Sequence, residues 1–118
     1  MQITAVTMKP ITKTTILLAA MFGLGISLAQ AEDAKVIWDK QCAKCHGSDG
    51  KGQTKMGQKL SIRNLADAKV QAEMKDEEMT KAIKEGVQKE GKTLMKPAEA
   101  VTDEEITGLV AHVRTFKP

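Results

Sequence analysis

Apolar residues near the C-terminus recur on a helical period: Ile106, Leu109, Val110 and Val113 stand at spacings of three, four and seven, which places them on one stripe of an α-helix. Thr102-Asp103-Glu104-Glu105 directly ahead matches the Ser/Thr-x-x-Glu capping box. The pattern predicts a helix of about 15 residues, roughly 22 Å long. Upstream, Met79 and Ile83 share a helical face between Asp76, the expected N-cap, and Gly86, the expected C-cap. Leu65 and Val70 mark a helical turn within residues 65–73. Residues 33–41 contain no Gly or Pro and group Val36, Ile37 and Trp38, which predicts a helix of two to three turns running straight into Cys42. No segment alternates apolar and polar residues, none is rich in β-branched residues beyond the N-terminal stretch, and no repeat is present. The pattern therefore predicts an all-α domain of three to four helices.

Two loops separate these helices. Residues 47–57 hold Gly47, Gly50, Gly52 and Gly57, too many for a stable helix. The second loop, residues 89–100, holds Gly91, Met95 and Pro97.

The N-terminal stretch follows another rule. Residues 1–31 carry Lys9 and Lys13 and no acid, then an apolar run at 16–28, then Ala29-Gln30-Ala31. A basic start, an apolar middle and a small-x-small end are the parts of a secretory signal peptide, with cleavage expected after Ala31. A retained membrane anchor fits less well, since the run is shorter than the roughly 20 residues that cross a bilayer. The expected organisation is a signal peptide at 1–31 and one domain at 32–118.

Composition adds a requirement. A domain of that size buries only about 60–65% of its unfolded surface, and Trp38 and Phe116 are its only aromatic residues. Two cysteines separated by two residues close too small a disulfide loop to constrain the unfolded chain much. A bulky apolar cofactor would supply the missing core. Charge is nearly balanced beyond residue 31, so clustered basic binding to nucleic acid is not expected. The basic residues are unevenly placed: 40–63 contains Lys40, Lys44, Lys51, Lys55, Lys59 and Arg63 against the single acid Asp49.

Cys42-Ala43-Lys44-Cys45-His46 carries the chemistry. Cys-x-x-Cys-His is the attachment signal for c-type haem. Two thiols one helical turn apart can each join one vinyl group of a porphyrin, and the following imidazole then reaches the iron. Other readings use the same residues. Zinc would take Cys42, Cys45 and His46 with His112 as fourth ligand, but His112 lacks a partner at zinc-site spacing. A thioredoxin-like redox pair requires a βαβ setting. A plain disulfide explains neither His46 nor the shortage of aromatics.

The second axial ligand is expected among Met56, Met74, Met79 and Met95. Met74 and Met79 fall at helical positions where methionine ordinarily packs. Met95, in a Gly- and Pro-containing loop ahead of a well-capped helix, is the preferred ligand, with Met56 next. A neutral thioether favours ferrous iron, so a His46/Met95 pair raises the reduction potential above that of two histidines.

On these residues the chain resembles a small bacterial class I cytochrome c over essentially all of 32–118. The resemblance lies in the helix ending at Cys42-Ala43-Lys44-Cys45-His46, the stretch Gly47-Ser48-Asp49-Gly50-Lys51-Gly52, the methionine loop, and a last helix opening Val101-Thr102-Asp103-Glu104-Glu105-Ile106. It implies that the first and last helices cross, with Trp38 near the crossing and Ala34 where a small residue is needed. Two positions depart from the family pattern: Lys96 separates Met95 from Pro97, and His112 replaces a common Tyr and is expected to pack.

With one covalent haem and both axial positions filled, the expected function is that of an exported electron carrier in the periplasm or beyond, not an enzyme. The basic residues around the motif suggest docking to an acidic patch on a redox partner. A haem sensor or peroxidase-like protein with a displaceable Met95 is one rival reading, and an electron-entry subunit of a larger oxidoreductase is another. Arg63 is a candidate partner for a haem propionate, with Lys59 and Asn64 of open role.

Overall fold

A computed structural model describes the backbone of residues 22–118 and the side chains from residue 30 onward. Most of the expected signal peptide lies outside the described residues. Its last part is helical and continuous with the domain: α1 spans Phe22–Ile37 and passes through Ala31 without a break.

The helix then widens. Trp38–Cys42 form a π-helical turn, with the Ala43 N–H bonding to the Trp38 carbonyl, and α2 (Ala43–His46) completes the run. The expected helix into the cysteines is thus present, with one wide turn placed where the cysteines begin. Such turns insert a residue into a helix and often mark functional sites. Beyond it, the glycine-containing loop folds one short helix the sequence pattern did not show, α3 (Lys55–Lys59), capped by Thr54. α4 (Ala68–Glu73) forms in the region of the expected helical turn, and its cap is Asp67, whose carboxylate accepts from Lys69 and Val70 N–H at 2.9 and 3.0 Å.

α5 spans Asp76–Glu85 and ends at Gly86, whose φ of +75° only glycine adopts easily. Asp76 is not its N-cap. Lys75 occupies that position, and Asp76 opens the helix with its carboxylate turned to Arg114 at 2.7 Å.

The second loop contains a feature the pattern did not predict. β1 (Val87–Lys89) and β2 (Lys92–Met95) pair antiparallel as a hairpin with a bulge at Val87/Gln88. Its tip, Glu90-Gly91, has φ of +52° and +74°, the two positive values a tight primed turn requires. Strands of three and four residues are too short to show alternation, which is why periodicity missed them.

α6 (Asp103–Arg114) has the expected capping box: Thr102 Oγ1 accepts from the Glu105 N–H at 3.2 Å, and Glu105 Oε2 accepts from the Thr102 N–H at 2.7 Å. Its stripe is buried as predicted, with Ile106, Leu109, Val110 and Val113 packed on Ala34 and Trp38 and on Met79 and Ile83 of α5. α1 and α6 cross at Ala34 and Gly108, where a Cβ on the glycine would sit 3.4 Å from the alanine methyl. Small residues on both sides allow that approach. Among the described residues no helix is long and apolar enough to cross a membrane.

Candidate functional site

The motif hangs at the end of the α1–α2 run. Cys42 closes the π-helical turn, Cys45 and His46 lie one turn on, and Gly47 at φ +81° stops the helix directly after the imidazole. Both cysteines are free thiols and half-buried. Trp38 fixes this end: its indole N–H donates to the Gly47 carbonyl at 3.0 Å and its ring lies 5.5 Å from that of His46.

The following loop folds back on the motif by backbone contacts. The Gly52 N–H donates to the His46 carbonyl at 2.7 Å, and the Thr54 hydroxyl donates to the Cys45 carbonyl at 2.6 Å while accepting from the Gly57 N–H at 2.8 Å. Gly57 is required there, because a Cβ would fall 2.6 Å from the Cys45 carbonyl oxygen. The glycines expected only to loosen this loop thus have a second use, as the surface against which the attachment turn is pressed.

Burial, with Cys45 alongside, pushes the Cys42 thiol up to about 11, so it is protonated in this structure. Burial pulls the His46 imidazole below its ordinary range, so the ring is neutral, and its Nδ1 is buried with no protein partner. Among the described residues no three His, Cys, Asp or Glu side chains gather as a metal site. His112, the candidate fourth zinc ligand, packs against Trp38 and Phe116 with ring centroids 5.7 and 5.1 Å apart. Two half-buried free thiols and a neutral imidazole with an unused ring nitrogen suit a haem joined by thioethers: Cys42 and Cys45 can hold the ring, and His46 can bind its iron.

The methionines fall in different places. Met79 is core, as expected of a packing residue. Met56 in α3 and Met74 after α4 are half-buried, and Met74 packs on the core cluster. Met95, at the end of β2, is half-buried and packs on the same core cluster as Cys42, Ala43 and Leu65. Its segment is seated on α5: the Ala98 N–H donates to the Ile83 carbonyl at 2.9 Å, and at Gly86 a Cβ would be 2.9 Å from Pro97 Cδ.

Arg63 pairs with Glu73 at 2.6 Å, both exposed, and Asn64 Oδ1 accepts from the Ala66 N–H at 2.9 Å. Lys59 is exposed in the last turn of α3. Sequence reasoning missed Thr54, whose place before a short helix was a readable cap signal. It also missed Gln41, Gln71 and Arg114, for which the sequence carries no signal because their partners are far along the chain. Arg114 reaches the Gln71 and Met74 carbonyls, each at 2.6 Å, and Gln71 donates to the Leu65 and Val113 carbonyls at 2.6 and 2.9 Å. Together they join the end of α6 to the α4–α5 junction.

A helix ending in two thiols and an imidazole, crossed by a C-terminal helix and accompanied by a half-buried methionine segment, defines a class I c-type cytochrome. The family comparison agrees: residues 29–113 match the family described as cytochrome c oxidase, cbb3-type, subunit III, and the chain belongs to this family of c-type cytochromes. Among solved structures it is similar to the c-type cytochrome KustC0563, with 37% identity and a TM-score of 0.64 over 72% of this chain and 98% of that one. A Tyr-to-Phe mutant of KustC0563 matches at 38% identity and a TM-score of 0.62, covering 72% of this chain and 99% of the mutant. No curated protein matches the chain. The family's chemistry is electron transfer by covalently bound haem.

Proposed function

We propose that this protein is an exported, soluble electron carrier with a single haem, attached through thioethers to Cys42 and Cys45 and held at the iron by His46 and Met95. The observation that carries the reading is the attachment turn, where Cys42, Cys45 and His46 stand within one helical turn; Met74 and Met95 both pack on the core cluster beside Cys42, and Met95 is preferred for its place at the end of the hairpin ahead of the capped α6. Bound haem supplies an iron that alternates between ferric and ferrous states. The chain does the rest. His46 and Met95 would hold the iron between them and leave no place for a substrate. The Met95 thioether favours the ferrous state. The Trp38 bond to Gly47 and the Thr54 bond to Cys45 hold the attachment turn still, so little rearrangement accompanies a change in charge. Export follows from the signal-peptide pattern of residues 1–31. The exposed Lys40, Lys44, Lys55 and Lys59 suit docking to an acidic patch on a redox partner, which makes transfer rates fall with ionic strength.

The test is an absorption spectrum of the oxidised and reduced exported protein beside that of Met95→Ala. A low-spin c-type spectrum with a weak sulfur-ligation band, lost in the variant, is expected. Ready carbon monoxide binding by the wild type would instead show an open iron. The family description favours a second reading, an electron-entry subunit of an oxidase. The carrier reading fits the size of the domain, which matches 98% of the solved KustC0563 chain, a c-type cytochrome. Elution of the purified protein at its own mass is expected for a carrier, and co-elution with a larger complex for a subunit.

A further inference from the structure

Gln41 lies in the π-helical turn immediately before Cys42. Its side-chain amide meets the backbone of Glu99 twice: Nε2 donates to the Glu99 carbonyl at 2.9 Å, and Oε1 accepts from the Glu99 N–H at 2.9 Å. Among side chains at neutral pH, a primary amide offers a donor and an acceptor side by side in this way. The contact reproduces one rung of a β-ladder with a side chain in place of a strand. Glu99 follows Met95 in the segment that leads to α6, and Ala100 directly after it has φ +52°, a value that costs an alanine energy. The chain therefore turns sharply at the point where Gln41 grips it.

Every other hydrogen bond described for residues 96–100 goes to α5, through the Ala98 N–H and the Ile83 carbonyl. Among the described residues, the two Gln41 bonds are the hydrogen bonds that join this segment to the turn carrying Cys42. We propose that Gln41 is a positioning residue for the methionine ligand, its amide clamping the segment behind Met95 to the attachment turn and so setting how readily the thioether leaves the iron. The proposal rests on Met95 being that ligand. Gln41 touches neither iron nor haem in this role. It acts through the backbone of Glu99.

The experiment uses the haem-loaded full chain and four variants: Gln41→Leu, Gln41→Glu, Glu77→Gln as an exposed control in α5, and Met95→Ala. Imidazole is titrated into each oxidised protein, and amide hydrogen exchange is followed at Glu99. Gln41→Leu is expected to bind imidazole roughly tenfold more tightly, about 1.4 kcal/mol, and to speed Glu99 exchange by a similar factor, while Glu77→Gln matches the wild type. Gln41→Glu can accept from the Glu99 N–H, but its second oxygen faces a carbonyl. It is expected to behave like Gln41→Leu at neutral pH and to recover in acid, where the protonated carboxyl can donate; Gln41→Leu should show no recovery.

Imidazole affinities within twofold of the wild type in both Gln41 variants overturn the clamp. So does a wild-type Glu99 amide that exchanges as fast as an unprotected loop amide, a measurement that needs no variant to fold. If Met95→Ala loses the sulfur-ligation band while the Gln41 variants change nothing, Met95 stands as ligand and the clamp alone fails. If Met95→Ala keeps that band, the ligand assignment fails and the clamp with it.

Discussion

The α1–α6 crossing and the methionine segment are held by different forces. At the crossing, Ala34, Trp38, Ile106, Leu109, Val110 and Val113 are buried against one another, and Leu109 is fully enclosed. The hairpin and the residues after it bury little of their own: Val87 and Leu94 are 36% and 37% exposed, and Met95, Ala98 and Val101 reach the core cluster only in part. One region is stabilised by protein packing alone. The other is placed by a glycine contact at Gly86 and a few hydrogen bonds. The proposed role of Met95 as the iron's second ligand suits a segment built in this second way, since weakly packed segments are those that open first.

Truncating the two regions should give very unequal results. Leu109→Ala removes a fully enclosed side chain and is expected to lower unfolding stability by about 3 kcal/mol, whereas Leu94→Ala on the hairpin should change it by less than about 0.5 kcal/mol. Denaturant melts of the haem-loaded protein measure both, and comparable losses would erase the contrast.

Arg114 tests the seam between the regions and α4–α5. Its bonds to the Gln71 and Met74 carbonyls are part-buried, so Arg114→Ala is expected to cost about 2 kcal/mol. Most of that loss comes from the carbonyls, because the Asp76 carboxylate it also meets is 67% exposed and surface ion pairs contribute little. Asp76→Asn should therefore melt close to the wild type.

Thr102→Ala removes the N-cap of α6 and is expected to lower stability by about 1 kcal/mol. Because α6 belongs to the packed region, exchange should quicken across its first turn and stay slow at Leu109.

The smallest effect is one of pH. Burial beside Trp38 and Phe116 holds the His112 imidazole below its ordinary range; Asp39 opposes that shift and Lys35 adds to it. The folded state then binds fewer protons than the unfolded one in the window below an ordinary histidine's pKa. The neutral ring's contribution is complete above about 6.5 and is lost as pH falls through the lower folded value. Melting temperatures between neutral and mildly acid pH should drop less steeply in His112→Tyr than in the wild type.

The packed region was legible in the sequence. The α6 stripe and its capping box, the helix into the cysteines and the stop at Gly86 each rest on residues a few positions apart, and local spacing reports such contacts directly. Three features were not legible. The hairpin is too short for a period to appear, and Glu90-Gly91 is a weak turn signal beside Asn-Gly or Asp-Gly. Asp76 read as a cap because its residue type suits that place, but Arg114, distant in sequence, took its carboxylate. The exposed ion pair of Arg63 with Glu73 joins residues on either side of a turn, with no motif to announce it.

What the sequence determined by itself was the chemistry and the scaffold. Cys42, Cys45 and His46 lie within one helical turn, and an amphipathic stripe states which face will be buried whatever it meets. What only the tertiary structure decided was how distant pieces come together: Met95 on the core cluster with Cys42, Gln41 against Glu99, Arg114 across the α4–α5 junction. Those contacts join residues tens of positions apart through small sets of hydrogen bonds and side-chain packing, and neither has a period or a motif, because each depends on where two separately folded elements come to rest.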